Sequence, residues 1–190
     1  MADGRHGSVS FYEADPRSIL PLDDGGLRVP RSLRSLVRSG RFEIRTDTAF
    51  DRVIRACADQ PREGSWISGW IIDAYERLHA AGHAHSVEAY LGGRLVGGLY
   101  GVHIGGVFFG ESMFTERAKE AGGSGASKVC LVHLWRHLRR RGFSMLDTQF
   151  ANEHMRQFGI VEVALGAFRP MLAAALQRPA SWEPFEPTIC

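Results

Sequence analysis

Val107-Phe108-Phe109-Gly110-Glu111-Ser112-Met113-Phe114 and Phe143-Ser144-Met145-Leu146-Asp147-Thr148-Gln149 are short apolar runs that carry acidic or amide groups at or near their ends. A segment of helical period separates them. Strand, helix, strand is the crossover order of a parallel sheet, in which consecutive strand ends fall on one edge. On this reading Glu111, Asp147 and Gln149 meet at one apolar-walled cleft. Partial burial would raise the pKa of Asp147 toward general-base use, and Gln149, two residues on, would hold a hydrogen-bonded partner without adding charge. Spacing alone favours a capped strand end for Asp147 over catalysis.

The flanking sequence fits the same sheet. Ala84–Leu91 reads as a strand, Gly92-Gly93 as a tight turn, and Leu95–Ile104 as the returning strand. Gly105-Gly106 turns the chain again into Val107–Phe109. Upstream, Ser8–Tyr12 and Phe42–Arg45 read as short strands and Arg31–Val37 as a basic helix. Phe50, Val53, Ile54 and Cys57 follow helical spacing, with Asp47 or Thr48 as cap. Ser68 is expected to cap a helix over Gly69–Ala81, and Ser127 one that runs to Arg141 with Leu131, Leu134 and Leu138 inward. Asn152 would cap a short helix, Ile160–Val163 form a strand, and Phe168–Gln177 a last helix before an irregular proline-rich tail. The expected class is α/β (α+β), a mixed sheet flanked by helices, close in topology to N-acetyltransferase-like domains. Residues 1–60 would be a short N-terminal basic segment with the first helices, and 61–190 the catalytic domain.

A chain of 190 residues with 44% apolar content can bury a core without disulfides or metal. Cys57 and Cys130 fall on helix faces as small core residues, and with Cys190 they lack metal-ligand spacing. Neither a signal peptide nor an apolar run of the roughly 18–20 residues that a membrane span needs is visible. A cytoplasmic protein without membrane contact is expected. Net charge is only +2, yet Arg28, Arg31, Arg34, Arg38, Arg41 and Arg45 face a single glutamate, Glu43, with Arg52 just beyond. Arg136, Arg139, Arg140 and Arg141 form a second cluster. Such clusters fit a local anionic partner as readily as solvated helix faces.

Motifs for other chemistries are missing: no Gly-x-Ser-x-Gly elbow, no phosphate loop and no dinucleotide fingerprint. Gly122-Gly123-Ser124-Gly125 reads as a connector, although such a stretch before a helix can cradle a phosphate. His83 and His85 would share a strand face but have no third ligand nearby, so no metal is expected. Trp66 is either a core group or a flat surface on which a nucleobase stacks.

Several blocks in fixed order resemble the leucyl/phenylalanyl-tRNA–protein transferases: Arg62-Glu63-Gly64-Ser65-Trp66-Ile67, Ala74-Tyr75 through Gly82-His83-Ala84-His85-Ser86-Val87-Glu88, Leu95-Val96-Gly97-Gly98-Leu99-Tyr100-Gly101-Val102, Gly110-Glu111-Ser112-Met113-Phe114, Ala126-Ser127-Lys128, and Leu146-Asp147-x-Gln149. The likeness runs from about Asp15-Pro16-Arg17 to Gly159. It implies an enzyme that takes Leu, Phe or, less well, Met from aminoacyl-tRNA to the N-terminal Arg or Lys of proteins, marking them for degradation, with no cofactor. By the same resemblance Gln149 would hold the acceptor's α-amino group and Asp147 assist its deprotonation. Glu111 would bind the aminoacyl α-amino group, and Leu99, Leu134, Leu138 and Leu146 would wall the side-chain pocket. Trp66 would stack on the terminal adenosine, and Arg31, Arg34, Arg38 and Arg41 would contact the tRNA backbone.

The sequence departs from that family in three places. No counterpart of its N-terminal Pro-Trp segment precedes Ser8, and Phe11-Tyr12-Glu13-Ala14 replaces Trp-Trp-Ser-Pro. Glu120–Gly125 reads as an insertion beside the site. Val163-Ala164-Leu165-Gly166 stands where the family carries Pro and Arg. Two alternatives remain at this level: an acyl-CoA-dependent N-acyltransferase on the same fold, and a non-catalytic tRNA-binding paralogue.

Overall fold

The computed structural model describes residues 2–3, 10–11, 13–60, 66–116 and 122–187, with backbone alone for 2–11 and for His154. The segment Arg62–Ser65, residues 120 and 121 of the expected insertion at 120–125, and Cys190 lie outside them.

The glycine pairs act as expected. β5 (Ala84–Leu91), β6 (Arg94–Ile104) and β7 (Val107–Thr115) form an antiparallel meander. Gly92 and Gly93 sit at φ +57° and +76°, the left-handed backbone that a two-residue hairpin turn requires. β7 then crosses through α4 (Ala126–Arg140) to β8 (Met145–Gln149) and pairs with it in parallel, Val107 opposite Met145 and Phe109 opposite Asp147. The strand, helix, strand reading therefore holds, although β7 runs on well past the expected end at Phe109.

β3 (Arg17–Leu20), β4 (Glu43–Thr46) and β9 (Val161–Val163) complete a seven-stranded mixed sheet in the order β4-β5-β6-β7-β8-β3-β9. Strands from before residue 60 thus lie in one sheet with strands from after it. A separate ribbon pairs β1 (Ala2–Asp3) with β2 (Ser10–Phe11). In numerical order the strands are β1 to β9.

Period-2 alternation separates two layers of helix. Leu99, Phe108 and Leu146 pack with α4 and α1 (Arg31–Arg38) on one face. Tyr100 and Phe114 pack with α2 (Phe50–Ala58) and α3 (Gly69–Ala80) on the other, where α6 (Leu165–Leu176) also lies over Val107 and Met145. The helix α4 rides close to the sheet, because a Cβ on Gly97 would stand 2.5 Å from that of Ala126. Cys57 and Cys130 are buried in the core. No helix of the described residues is long and apolar enough to cross a membrane.

Two caps differ from expectation. Ser68 and Asn152 do accept from Ile71 and Met155, the latter in α5 (Glu153–Arg156). The start of α2 is instead capped from the sheet: buried Glu88 accepts the backbone N–H of Thr48 and Ala49 at 3.0 and 2.9 Å. Asp47 points away to the Ser86 N–H and His85. Ser127 lies inside α4, whose N-cap is Gly125, and its N–H and hydroxyl both bond Thr115 at the end of β7.

The irregular tail is also more than a tail. Trp182 is 4% exposed, stacks on His85 at 4.3 Å, and donates its indole N–H to Asp47 Oδ2 at 2.8 Å. Arg141 holds the Ser181 and Glu183 carbonyls, and Arg140 holds that of Glu186. Arg139 pairs with Asp24. Three arginines of the second basic cluster therefore bind the protein's own chain.

Candidate active site

Beyond Phe109 and Asp147 the parallel pairing stops, and β7 and β8 part as a fork. A cleft of about 600 Å³ occupies it and takes walls from both faces of the sheet. Leu99, Met113, Leu131, Leu134, Leu146 and Met155 make it apolar; Glu111, Ser112, Gln60, Thr148 and Gln149 supply polar groups. This is the usual make-up of a site for a ligand with one apolar and one polar end.

Glu111 reaches the cleft by a β-bulge. Tyr100 pairs with Ser112 and Gly101 with Gly110, so Glu111 is the extra residue of β7. Burial pushes its pKa up to about 7; a hydrogen bond from Tyr75 opposes that shift, and the charge of Asp147 adds to it. The Tyr75 phenol is itself pushed up by burial and by the Glu111 charge, so it stays a donor. Glu111 is the one carboxylate lining the cleft among the described residues.

Gln149 ends β8 with φ +64°, in the left-handed region. A register shift between Ser18 and Ile19 sets Asp147, Thr148 and Gln149 against these two residues, and the Thr148 hydroxyl closes the bulge on Ser18 O at 3.1 Å. Its side-chain amide donates to Gly110 O at 2.7 Å, across the fork from the neighbouring strand. The amide thereby ties the two prongs together.

Asp147 does not line the cleft. Its side chain is wholly buried on the α6 face, where Arg17 of β3 binds it through Nε (3.0 Å to each oxygen) and through a terminal nitrogen (2.7 Å). Oδ1 also accepts the Gln149 backbone N–H at 2.8 Å. Both of its oxygens are thus engaged by Arg17, and one of them by the Gln149 backbone as well. Sequence reasoning missed Arg17, for a partner 130 residues away leaves no local signal. It missed Tyr75 as well, although Ala74-Tyr75 lies in a block already singled out.

Of the expected pocket wall, Leu99, Leu134 and Leu146 line the cleft and Leu138 does not, being enclosed one turn deeper in the core. Trp66 stands half-buried at the cleft and joins its lining. Arg31, Arg34 and Arg38 project from the exposed face of α1, opposite buried Leu33 and Val37. Arg41 is exposed too and donates to Gly122 O at 2.8 Å. His83 is exposed while His85 is buried under Trp182, and no cluster suited to a metal ion occurs among the described residues.

Comparison with known proteins shows what the chain is similar to. The sequence model of the leucyl/phenylalanyl-tRNA protein transferase family matches residues 19–173. A leucyl/phenylalanyl-tRNA–protein transferase of Gloeobacter violaceus is 50% identical over 182 residues, 96% of this chain and 89% of the relative. Proteins of the same name from Rubrobacter xylanophilus and Salinibacter ruber are 50% and 47% identical, covering 92% and 97% of this chain and 86% and 77% of theirs. Among solved structures, L-PGS from Bacillus licheniformis superposes with a TM-score of 0.48 at 12% identity, over 77% of this chain and 51% of that one, a likeness too slight to build on.

Proposed function

The chain belongs to the leucyl/phenylalanyl-tRNA–protein transferase family and is an aminoacyltransferase, and from that premise we propose that it moves leucine or phenylalanine, and less readily methionine, from aminoacyl-tRNA to N-terminal arginine or lysine of acceptor proteins. Such a product is marked for degradation, and a donor of this kind places the work in the cytoplasm. The observation that carries the reading is the fork: an apolar cleft with one carboxylate, Glu111, on one prong and one amide, Gln149, on the other.

The apolar walls take the leucyl or phenylalanyl side chain; such a pocket rejects polar residues well and separates similar apolar ones poorly. Glu111 receives the donor's α-ammonium. Gln149 holds the acceptor's α-amine beside the ester carbonyl, and the Arg17–Asp147 pair behind it acts as a positioning unit. Trp66 stacks on the terminal adenosine. Arg31, Arg34, Arg38 and Arg41 meet the tRNA phosphates.

The chemistry asks little more. The ester is already activated, and an N-terminal amine with a pKa near 7.7–8.0 is partly neutral at pH 7. Its nitrogen attacks the carbonyl carbon, the bond to the ribose oxygen breaks, and the proton lost by nitrogen ends on that oxygen. No strongly basic side chain is needed.

Purified protein supplied with labelled leucyl-tRNA and a peptide beginning with arginine should form the extended peptide; absence of transfer overturns the proposal. The pH dependence tests the role of Glu111. Its pKa is raised to about 7, so the carboxylate fraction declines as pH falls through that value, and donor binding declines with it. Acceptor ionisation is common to wild type and Glu111→Gln and cancels in their ratio. The wild-type to variant ratio of kcat/KM for the donor should therefore rise about tenfold from pH 6 to pH 8. A flat ratio would remove Glu111 from that role.

A further inference from the structure

Beside the cleft lies a second cavity, of about 810 Å³, between α1 and the start of α4. The two are not separate features. Thr115 and Ser127 line both, so the hydrogen-bonded Thr115–Ser127 pair is the wall they share. Pro30, Leu33 and Leu36 give the second cavity an apolar side. Its cations are Arg41 and Lys128; one carboxylate, the exposed Glu116, also lines it. No described carboxylate is ion-paired with Lys128 or Arg41. The guanidinium of Arg41 spends one nitrogen on Gly122 O and keeps its other donors.

The Ala126-Ser127-Lys128 block has no part in the aminoacyl cleft beyond Ser127. Ala126 lets α4 approach Gly97, and Lys128 lines only the second cavity. The inner side of α1 lines this cavity while its outer side carries Arg31, Arg34 and Arg38. An RNA strand led from those arginines toward the cleft would pass this cavity, which shares a wall with the cleft.

We infer that the cavity between α1 and α4 is a second RNA subsite, in which Lys128 and Arg41 take the phosphodiester 5′ to the terminal aminoacyl-nucleoside and the apolar side receives the preceding base. The inference rests on the reading of the cleft as the aminoacyl-adenosine site.

The probes are the dinucleotide cytidylyl-adenosine and plain adenosine, titrated by calorimetry onto the whole chain, which needs no turnover. Wild type should bind the dinucleotide about tenfold more tightly than adenosine, and the salt slope of the dinucleotide should be steeper by roughly 0.7 for each phosphate contact. Lys128→Gln should bring the ratio of the two affinities close to one, Lys128→Arg should restore most of it, and Glu116→Gln should enlarge it. Equal affinities in wild type, an equal loss of both ligands in Lys128→Gln, a weaker dinucleotide in Glu116→Gln, or displacement of the dinucleotide by acceptor peptide in place of RNA would each overturn the inference. A protein that binds the dinucleotide as described but transfers no leucine would instead overturn the proposed reaction and leave this subsite standing.

Discussion

Arg31, Arg34 and Arg38 on α1 and Arg139, Arg140 and Arg141 at the end of α4 are both clusters of three arginines in sequence, yet they are used in opposite ways. Those of α1 stand on an exposed face, and no described carboxylate is ion-paired with them. Those of α4 are turned onto the protein's own chain, binding Asp24 and the carbonyls of Ser181, Glu183 and Glu186. Cations at a helix C-terminus are stabilised there whatever the function, and a returning chain gives them further acceptors. A run of arginines marks a polyanion surface only when the fold leaves it unspent.

The contrast can be broken from either side. The largest effect should come from the segment that the α4 cluster secures: Trp182→Ala removes a ring stacked on His85 and leaves Asp47 without an indole donor. Urea unfolding should show a loss of about 3–5 kcal/mol, with tRNA affinity of the folded protein unchanged. A weakened affinity would mean that the tail, too, touches RNA. Next, Arg34→Ala with Arg38→Ala should weaken tRNA binding about tenfold at moderate salt and flatten its salt slope by about 1 to 2. Stability should stay within about 0.5 kcal/mol of wild type, and an unaltered slope would remove α1 from the interface. The smallest change belongs to Arg141→Ala, which should cost about 1 kcal/mol through lost bonds to the tail carbonyls. If filter binding showed a lower salt slope for that variant, the two clusters would share one role after all.

Much of the sheet could be read in advance because its signals are local. The Gly92-Gly93 and Gly105-Gly106 pairs demand turns, and the alternation of β5 to β7 demands a meander. What escaped depends on contacts between distant segments. Thr115 replaces a side-chain cap on α4, and Glu88 caps α2 from a neighbouring strand. The bulge at Glu111 and the left-handed turn at Gln149 decide which side chains enter the cleft, and neither has a sequence signature. A strict period of two places Leu146 and Asp147 on opposite faces, so their shared cleft was already at odds with the pleat. The resemblance compensated by pointing at the right strands; it had nothing to say of the Arg17 pair that holds Asp147 behind them.

The left-handed backbone at Gln149 has one more consequence. Glycine or asparagine would occupy that conformation more comfortably, and a glutamine there forgoes about 1 kcal/mol. That the chain keeps an amide long enough to bridge to Gly110 marks this position as a trade between endurance and chemistry.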